Sequence, residues 1–137
     1  MSTDFSFAVN YSEDGRFMIL KLIGVSEFST SISHMASLAT ALSKSACMGL
    51  IVDYRQFVLN FELEDYEKIA DAYCQTFPEG LPVSFLYNED QAARVIYMTR
   101  RLEESGRPSH AFGTEEDALV WLDQTVSDKG VGVSKAG

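Results

Sequence analysis

Three consecutive residues, Asp53, Tyr54 and Arg55, carry the greatest chemical variety in this 137-residue chain: a carboxylate, a phenol and a planar guanidinium fork. They follow Met48–Val52, a short apolar run rich in β-branched residues that predicts a strand buried on both faces. The triplet is then expected just past the carboxyl end of a parallel strand, where ligands of open α/β sheets usually sit. Two readings compete for it. In one, Tyr54 and Arg55 present a ring and a donor fork to a ligand or partner. In the other, Asp53 accepts backbone N–H bonds or pairs with Arg55 and only ties down the loop. Asn88 and Thr114 occupy matching positions after later strands, and both read as helix caps.

The remaining reactive residues form no recognisable catalytic set. His34 and His110 are unaccompanied by a nucleophile elbow, an H-E-x-x-H pair or a metal-ligand spacing. A hydrolase built on His34 or Asp53 would need either group to meet a nucleophile from elsewhere in the chain. Cys47 and Cys74 lack a C-x-x-C spacing and read as reduced, packed thiols. Gly130 and Gly132 lie outside any strand–turn–helix pattern and do not make a phosphate loop. The sequence thus predicts no catalytic residue, no metal site and no cofactor.

Twenty Asp and Glu against eleven Lys and Arg give a formal charge of −9, which repels a nucleic-acid backbone and an anionic leaflet alike. No apolar run approaches the ~20 residues that span a bilayer, and Met1–Phe5 has no basic-then-apolar character. The expectation is a cytoplasmic protein. With 46% hydrophobic residues the chain supports one ordinary core.

To hold the triplet, the chain must supply alternating strands and helices. Phe5, Phe7, Val9 and Tyr11 alternate with polar or small residues, as a half-buried edge strand requires. Asp14-Gly15 predicts a tight hairpin into a second strand, Phe17–Ile23, closed by Gly24. A helix capped by Ser29 or Thr30 runs to about Ala46, with Ile32, Met35, Ala36, Ala39 and Leu42 as its buried stripe. After the Met48–Val52 strand and a mixed stretch, Tyr54–Phe61, a second helix spans about Glu62–Phe77 with Leu63, Tyr66, Ile69, Ala70 and Tyr73 inward. Val83–Tyr87 is a strand; Asn88 or Asp90 caps a helix with stripe Ala93, Ile96, Tyr97 and Leu102, ended by Gly106. Ser109–Phe112 is the last strand, and Thr114-Glu115-Glu116-Asp117 opens a final helix carrying Ala118, Leu119, Trp121 and Leu122. The order β-β-α-β-α-β-α-β-α predicts one α/β domain over residues 1–127, mainly parallel with an antiparallel edge strand, and a frayed tail over 128–137.

The first helix has an unusual outer face. Ser31, Ser33, Ser37, Thr40 and Ser43 line it, and Lys44 is the only charge between Glu27 and Asp53 apart from what His34 carries. A solvated helix normally mixes Glu and Lys, so Ser33 and Ser37 mark a surface that could meet another subunit or a protein partner.

Leu-Ile-Gly at 22–24, Leu-Ile-Val-Asp-Tyr-Arg at 50–55 and His-Ala-Phe-Gly-Thr-Glu-Glu-Asp-Ala-Leu-Val-Trp-Leu at 110–122 together resemble the SpoIIAA-like family, a branch of the STAS domains, over roughly residues 5–125. The resemblance implies a sheet with helices packed on one side and a non-enzymatic role in regulation or protein interaction, homodimer included. In the sporulation antagonists of that family a serine after the third strand is phosphorylated. No Ser or Thr occurs here from Tyr54 to Asp65, so the switch does not carry over. A small-molecule or lipid-binding module is the alternative reading, because the aromatic and Met residues could line a pocket.

Overall fold

The computed structural model describes residues 6–26, 28–59 and 62–136, with side chains for 6–25, 33–58, 62 and 64–127. Its elements are β1 (Ser6–Tyr11), β2 (Phe17–Ser26), α1 (Phe28–Lys44), β3 (Gly49–Leu59), α2 (Leu63–Thr76), β4 (Val83–Leu86), a 3₁₀ turn (Glu89–Gln91), α3 (Ala92–Glu104), β5 (Ser109–Phe112) and α4 (Glu115–Ala136). Phe5 and the side chains of Ser29, Thr30, Ser31, Ile32 and Leu63 fall outside the described residues. The helical assignment of α4 continues past residue 127, where the sequence predicts a frayed tail.

All five strands form one sheet in the order β1-β2-β3-β4-β5. β1 and β2 pair antiparallel through the hairpin at Gly15, whose φ of 77° matches the expected Asp-Gly turn. The other pairs are parallel. When strands add in one direction through right-handed crossovers, every crossover helix falls on the same face. Accordingly α1, α2 and α3 share one core with Met18, Leu20, Leu22, Leu50, Val52 and Phe85. The helix after the last strand has no such constraint. α4 lies on the opposite face, with Ala118 and Leu122 against Phe17, Ile51 and Leu86. Helices on one side only, as the resemblance implies, is therefore corrected: the sheet is covered on both faces. Close approach of α4 requires Gly49, where a Cβ would stand 2.9 Å from Leu122 Cδ2. Arg16 also bridges Asp14 of the hairpin and Asp123 of α4, at 2.7 and 2.8 Å.

Two helix stripes differ from expectation. In α1 the buried side chains are Leu38 and Leu42, with Met35 and Ala41 half-buried, whereas Ala36 and Ala39 are exposed. In α3 they are Val95, Met98, Thr99 and Leu102, whereas Ala93 and Ile96 face outward. In both helices the face with more apolar area per residue turns inward. α2 and α4 bury the expected Tyr66, Ile69, Ala70, Tyr73, Ala118 and Leu122.

β2 and β3 are longer than the sequence predicts. Gly24 does not end β2; it adopts φ 101° within the strand, which continues to Ser26. β3 likewise runs through Asp53, Tyr54 and Arg55 to Leu59, paired along this length with β2. The mixed composition of 54–59 reflects a strand with β2 on one side and no β4 on the other, since β4 stops at Leu86 opposite Asp53.

Candidate functional site

β3 carries a bulge at the centre of the triplet. Lys21 pairs with Asp53 and Ile23 with Gln56, so Tyr54 and Arg55 together oppose Leu22. Along β3, Val52 and Tyr54 face the α1–α3 core and Asp53 between them faces the other way. Asp53 turns toward the α4 side with its side chain 4% exposed, and Arg55 folds back over it. Asp53 Oδ1 accepts from the Arg55 backbone N–H and from Nε, and Oδ2 accepts from Nη2, all at 3.0 Å. The fork is bidentate, and the hydrogen bonds to Asp53 are what raise the Arg55 pKa above its ordinary value. Both carboxylate oxygens are engaged, while the guanidinium side chain remains 34% exposed. Asp53 therefore holds Arg55 at the surface, and Arg55 is the member of the pair that can touch anything else.

Tyr54 does the reverse. It points into the α1–α3 core, 1% exposed, with its ring stacked on Phe57 at 5.8 Å and its hydroxyl 2.8 Å from that of Tyr73. Burial pushes the Tyr54 phenol well above its ordinary pKa. The expectation that this ring is presented to a ligand is corrected.

Past Asp53, the β4-side edge of β3 has no strand to pair with, and side chains from the β4–α3 connection take its place. Asn88 Nδ2 donates to the Arg55 carbonyl at 2.8 Å. Gln91 Nε2 donates to the carbonyls of Tyr54 and Phe57 at 2.7 and 2.6 Å, and its Oε1 accepts the Asn88 N–H at 2.9 Å. Asn88 thus does more than the capping expected of it, and Gln91, absent from the sequence reading, is the centre of the clasp. The signal was present: Asn followed three residues later by Gln is a capping-box spacing. Thr114 caps α4 as expected, its Oγ1 accepting the Asp117 N–H at 3.2 Å.

Between the clasp and the projecting end of β3 lies a cleft of about 480 Å³, bordered by Arg55, Phe57, Val58, Asn88, Asp90 and Arg94. It offers two guanidinium groups, one carboxylate and side-chain amides on a rigid frame. That equipment suits recognition of polar groups on a partner. Among the described residues that border the cleft there is no Ser, Thr, Cys or His.

The other predicted residues lie elsewhere. Ser33 and Ser37 are exposed on α1, across the sheet from Arg55. His34 sits edge-on to Phe7 at 4.8 Å and is partly desolvated, which lowers its pKa. His110 stacks on Trp121 and lies tilted against Phe112 on the α4 side. His34 and Asp53 stand on opposite faces of the sheet, so no single cleft joins the two. Among the described residues no three His, Cys, Asp or Glu side chains gather into a metal-binding group. Cys47 and Cys74 are unbridged, as expected. Cys47 borders a second, apolar groove of about 600 Å³ at the amino end of β3 and β4, with Leu42, Met48, Leu81, Pro82 and Val126. No helix among the described residues is long and apolar enough to cross a membrane.

No family model and no curated protein matches the sequence. The fold, in contrast, is shared with solved structures. An anti-sigma factor antagonist from Mycobacterium paratuberculosis superposes with a TM-score of 0.64 at 13% identity, covering 90% of this chain and 97% of that one. A protein of the DUF3478 family with a SpoIIAA-like fold, from Shewanella loihica, gives 0.56 at 17% identity, covering 89% and 98%. At these identities the likeness establishes the fold, which is SpoIIAA-like, of the STAS type.

Proposed function

We propose that this chain is a regulatory protein-interaction domain that acts without chemistry and meets its partner at the carboxyl end of the sheet, around Arg55, Arg94 and the projecting end of β3. The observation that carries this reading is the clasp. Hydrogen bonds to three backbone carbonyls and a bidentate ion pair hold Arg55 beside a cleft whose described border has no Ser, Thr, Cys or His. A preorganised guanidinium at a surface is costly to hold and useful mainly for recognition. The fold supports the same reading, since one of the structures sharing it is named an anti-sigma factor antagonist. The partner contact would differ from the sporulation antagonists in having no phosphorylatable serine after β3.

A photo-crosslinking residue placed at Asp90 tests this in the organism of origin. The expected product is an adduct between this chain and one other protein, missing when the probe stands at Arg100 on the outer side of α3. Equal, diffuse labelling from both positions would contradict the reading.

A second reading, a small-molecule or lipid-binding module, is favoured by the apolar groove beside Cys47 and Met48. Native mass spectrometry of gently purified protein should then show a bound apolar molecule that Leu81→Glu removes. A bare mass in the wild type would dispose of it.

A further inference from the structure

The cleft beside the clasp holds more donors than its own residues use. Arg55 spends its Nε–H and one Nη2–H on Asp53. Those lie along one edge of the guanidinium. On the next edge Nη1–H and the second Nη2–H run parallel, and no described residue accepts from them. Such an edge fits the two oxygens of a carboxylate. Arg94, in the first turn of α3, borders the same cleft. Its backbone is fixed by the Tyr66 hydroxyl, which donates to the Arg94 carbonyl at 2.9 Å, while its guanidinium makes no hydrogen bond or ion pair with a described residue. The amides nearby are already engaged, since Asn88 Nδ2 and Gln91 Nε2 donate to the β3 carbonyls. Acceptors are scarce by comparison. Asp90 is the one carboxylate on the described border, and it pairs with neither guanidinium.

Charge decides which acceptor fits. Asp53 lies beneath Arg55 and Asp90 beside the cleft, so the two guanidinium charges are formally balanced. Glu115 is also within electrostatic reach of Arg55. A dianion such as phosphate would bring a second negative charge into a site with no net charge to receive it. A carboxylate brings one, and its two oxygens match the parallel donors of Arg55 in direction. The chain as a whole carries −9, so nothing draws in an acidic molecule from a distance, and the carboxylate belongs on a partner that is not itself strongly acidic. Val58, 57% exposed on the same border, offers apolar contact beside the charge.

We propose that this cleft takes a single carboxylate of the partner, an Asp or Glu side chain or a chain end, gripped by the open edge of Arg55 and by Arg94. The proposal rests on the reading of the cleft as the place where a protein partner is met, and it names the chemistry of that contact.

NMR titration of the intact protein at fixed ionic strength, observing the arginine Nε–H groups, is the test. The probes are N-acetyl-leucine, which carries a carboxylate beside an apolar side chain, its uncharged counterpart N-acetyl-leucinamide, and inorganic phosphate. N-acetyl-leucine should shift Arg55 and Arg94 saturably, with dissociation in the millimolar range. Arg94→Gln should weaken this binding by about fivefold or more and Asp90→Asn should tighten it by about twofold or more, with circular dichroism verifying both folds. Arg100→Gln, on the outer side of α3, should leave it unchanged. Absence of saturation, an equal response to the amide, tighter binding of phosphate, or an affinity indifferent to Arg94→Gln would overturn the proposal. Its failure is distinct from that of the parent reading. A crosslinked adduct at Asp90 without titration keeps the partner and removes the carboxylate, whereas titration without an adduct supports the carboxylate site and removes the protein as its occupant.

Discussion

Asp53 and Arg55 act as a unit whose parts are not interchangeable. Removing Arg55 strands a carboxylate that is 4% exposed, with one backbone N–H as its remaining donor. Arg55→Leu should therefore cost about 2–4 kcal/mol in urea denaturation, and Asp53→Leu combined with Arg55→Leu should recover much of it, because the desolvated charge is gone. A single variant as stable as the wild type would show that solvent reaches Asp53. The buried phenols give a pH signature. Burial raises the pKa of Tyr54, Tyr66 and Tyr73, the last to about 12. A group whose folded pKa lies above its unfolded value near 10 contributes stability that is complete below pH 10 and lost as pH rises through the folded value. Tyrosinate absorbance from these three should appear only together with loss of near-ultraviolet circular dichroism. If all six tyrosines ionise near pH 10 in a folded protein, the buried cluster is not as described. The Asp53–Arg55 pairing was legible as one of two readings, from a carboxylate and a guanidinium two residues apart just past an apolar run. The sequence could not place Tyr54, because the apolar run ends at Val52 and marks 53–55 as a loop; with β3 continuing to Leu59, ordinary alternation turns Tyr54 to the same face as Val52.

Among the elements, the projecting end of β3 depends on side chains from another connection. Gln91→Leu removes donors from the carbonyls of Tyr54 and Phe57 and should cost about 2 kcal/mol. Amide exchange over residues 54–58 should quicken while that of β4 and β5 is unchanged; unchanged exchange at 54–58 would count against the clasp. Ser84 Oγ is buried on the α4 side with no hydrogen-bond partner among the described residues. Ser84→Ala should accordingly raise stability by about 1 kcal/mol in thermal unfolding, and a loss would reveal a partner. The length of β3 was illegible for a physical reason. Apolar runs mark strands with neighbours on both sides, and 54–59 has a strand neighbour only in β2. The expected stripes of α1 and α3 counted Ala36, Ala39 and Ala93 equally with Leu or Met, and Ile96 of α3 faces outward as well. The four-residue β4 and β5, bounded by Pro and Gly, were read to within a residue.

At the scale of the molecule, element order alone fixed most of the architecture: a hairpin, then right-handed crossovers that place three helices on one face. The side taken by α4 was not deducible, since no strand follows it. That placement leaves the cleft at the carboxyl end open among the described residues. The account's central claim concerns the cleft. It is tested most directly by quantitative affinity purification from the organism of origin with the wild type, Arg94→Glu and the serine pair Ser33→Glu with Ser37→Glu. Arg94 meets the fold chiefly through its backbone carbonyl, which accepts from Tyr66, so its side chain can be changed without unmaking the core. The account predicts a protein retained by the wild type and by the serine variant and lost from Arg94→Glu. A partner retained equally by all three, or lost only from the serine variant, would contradict it.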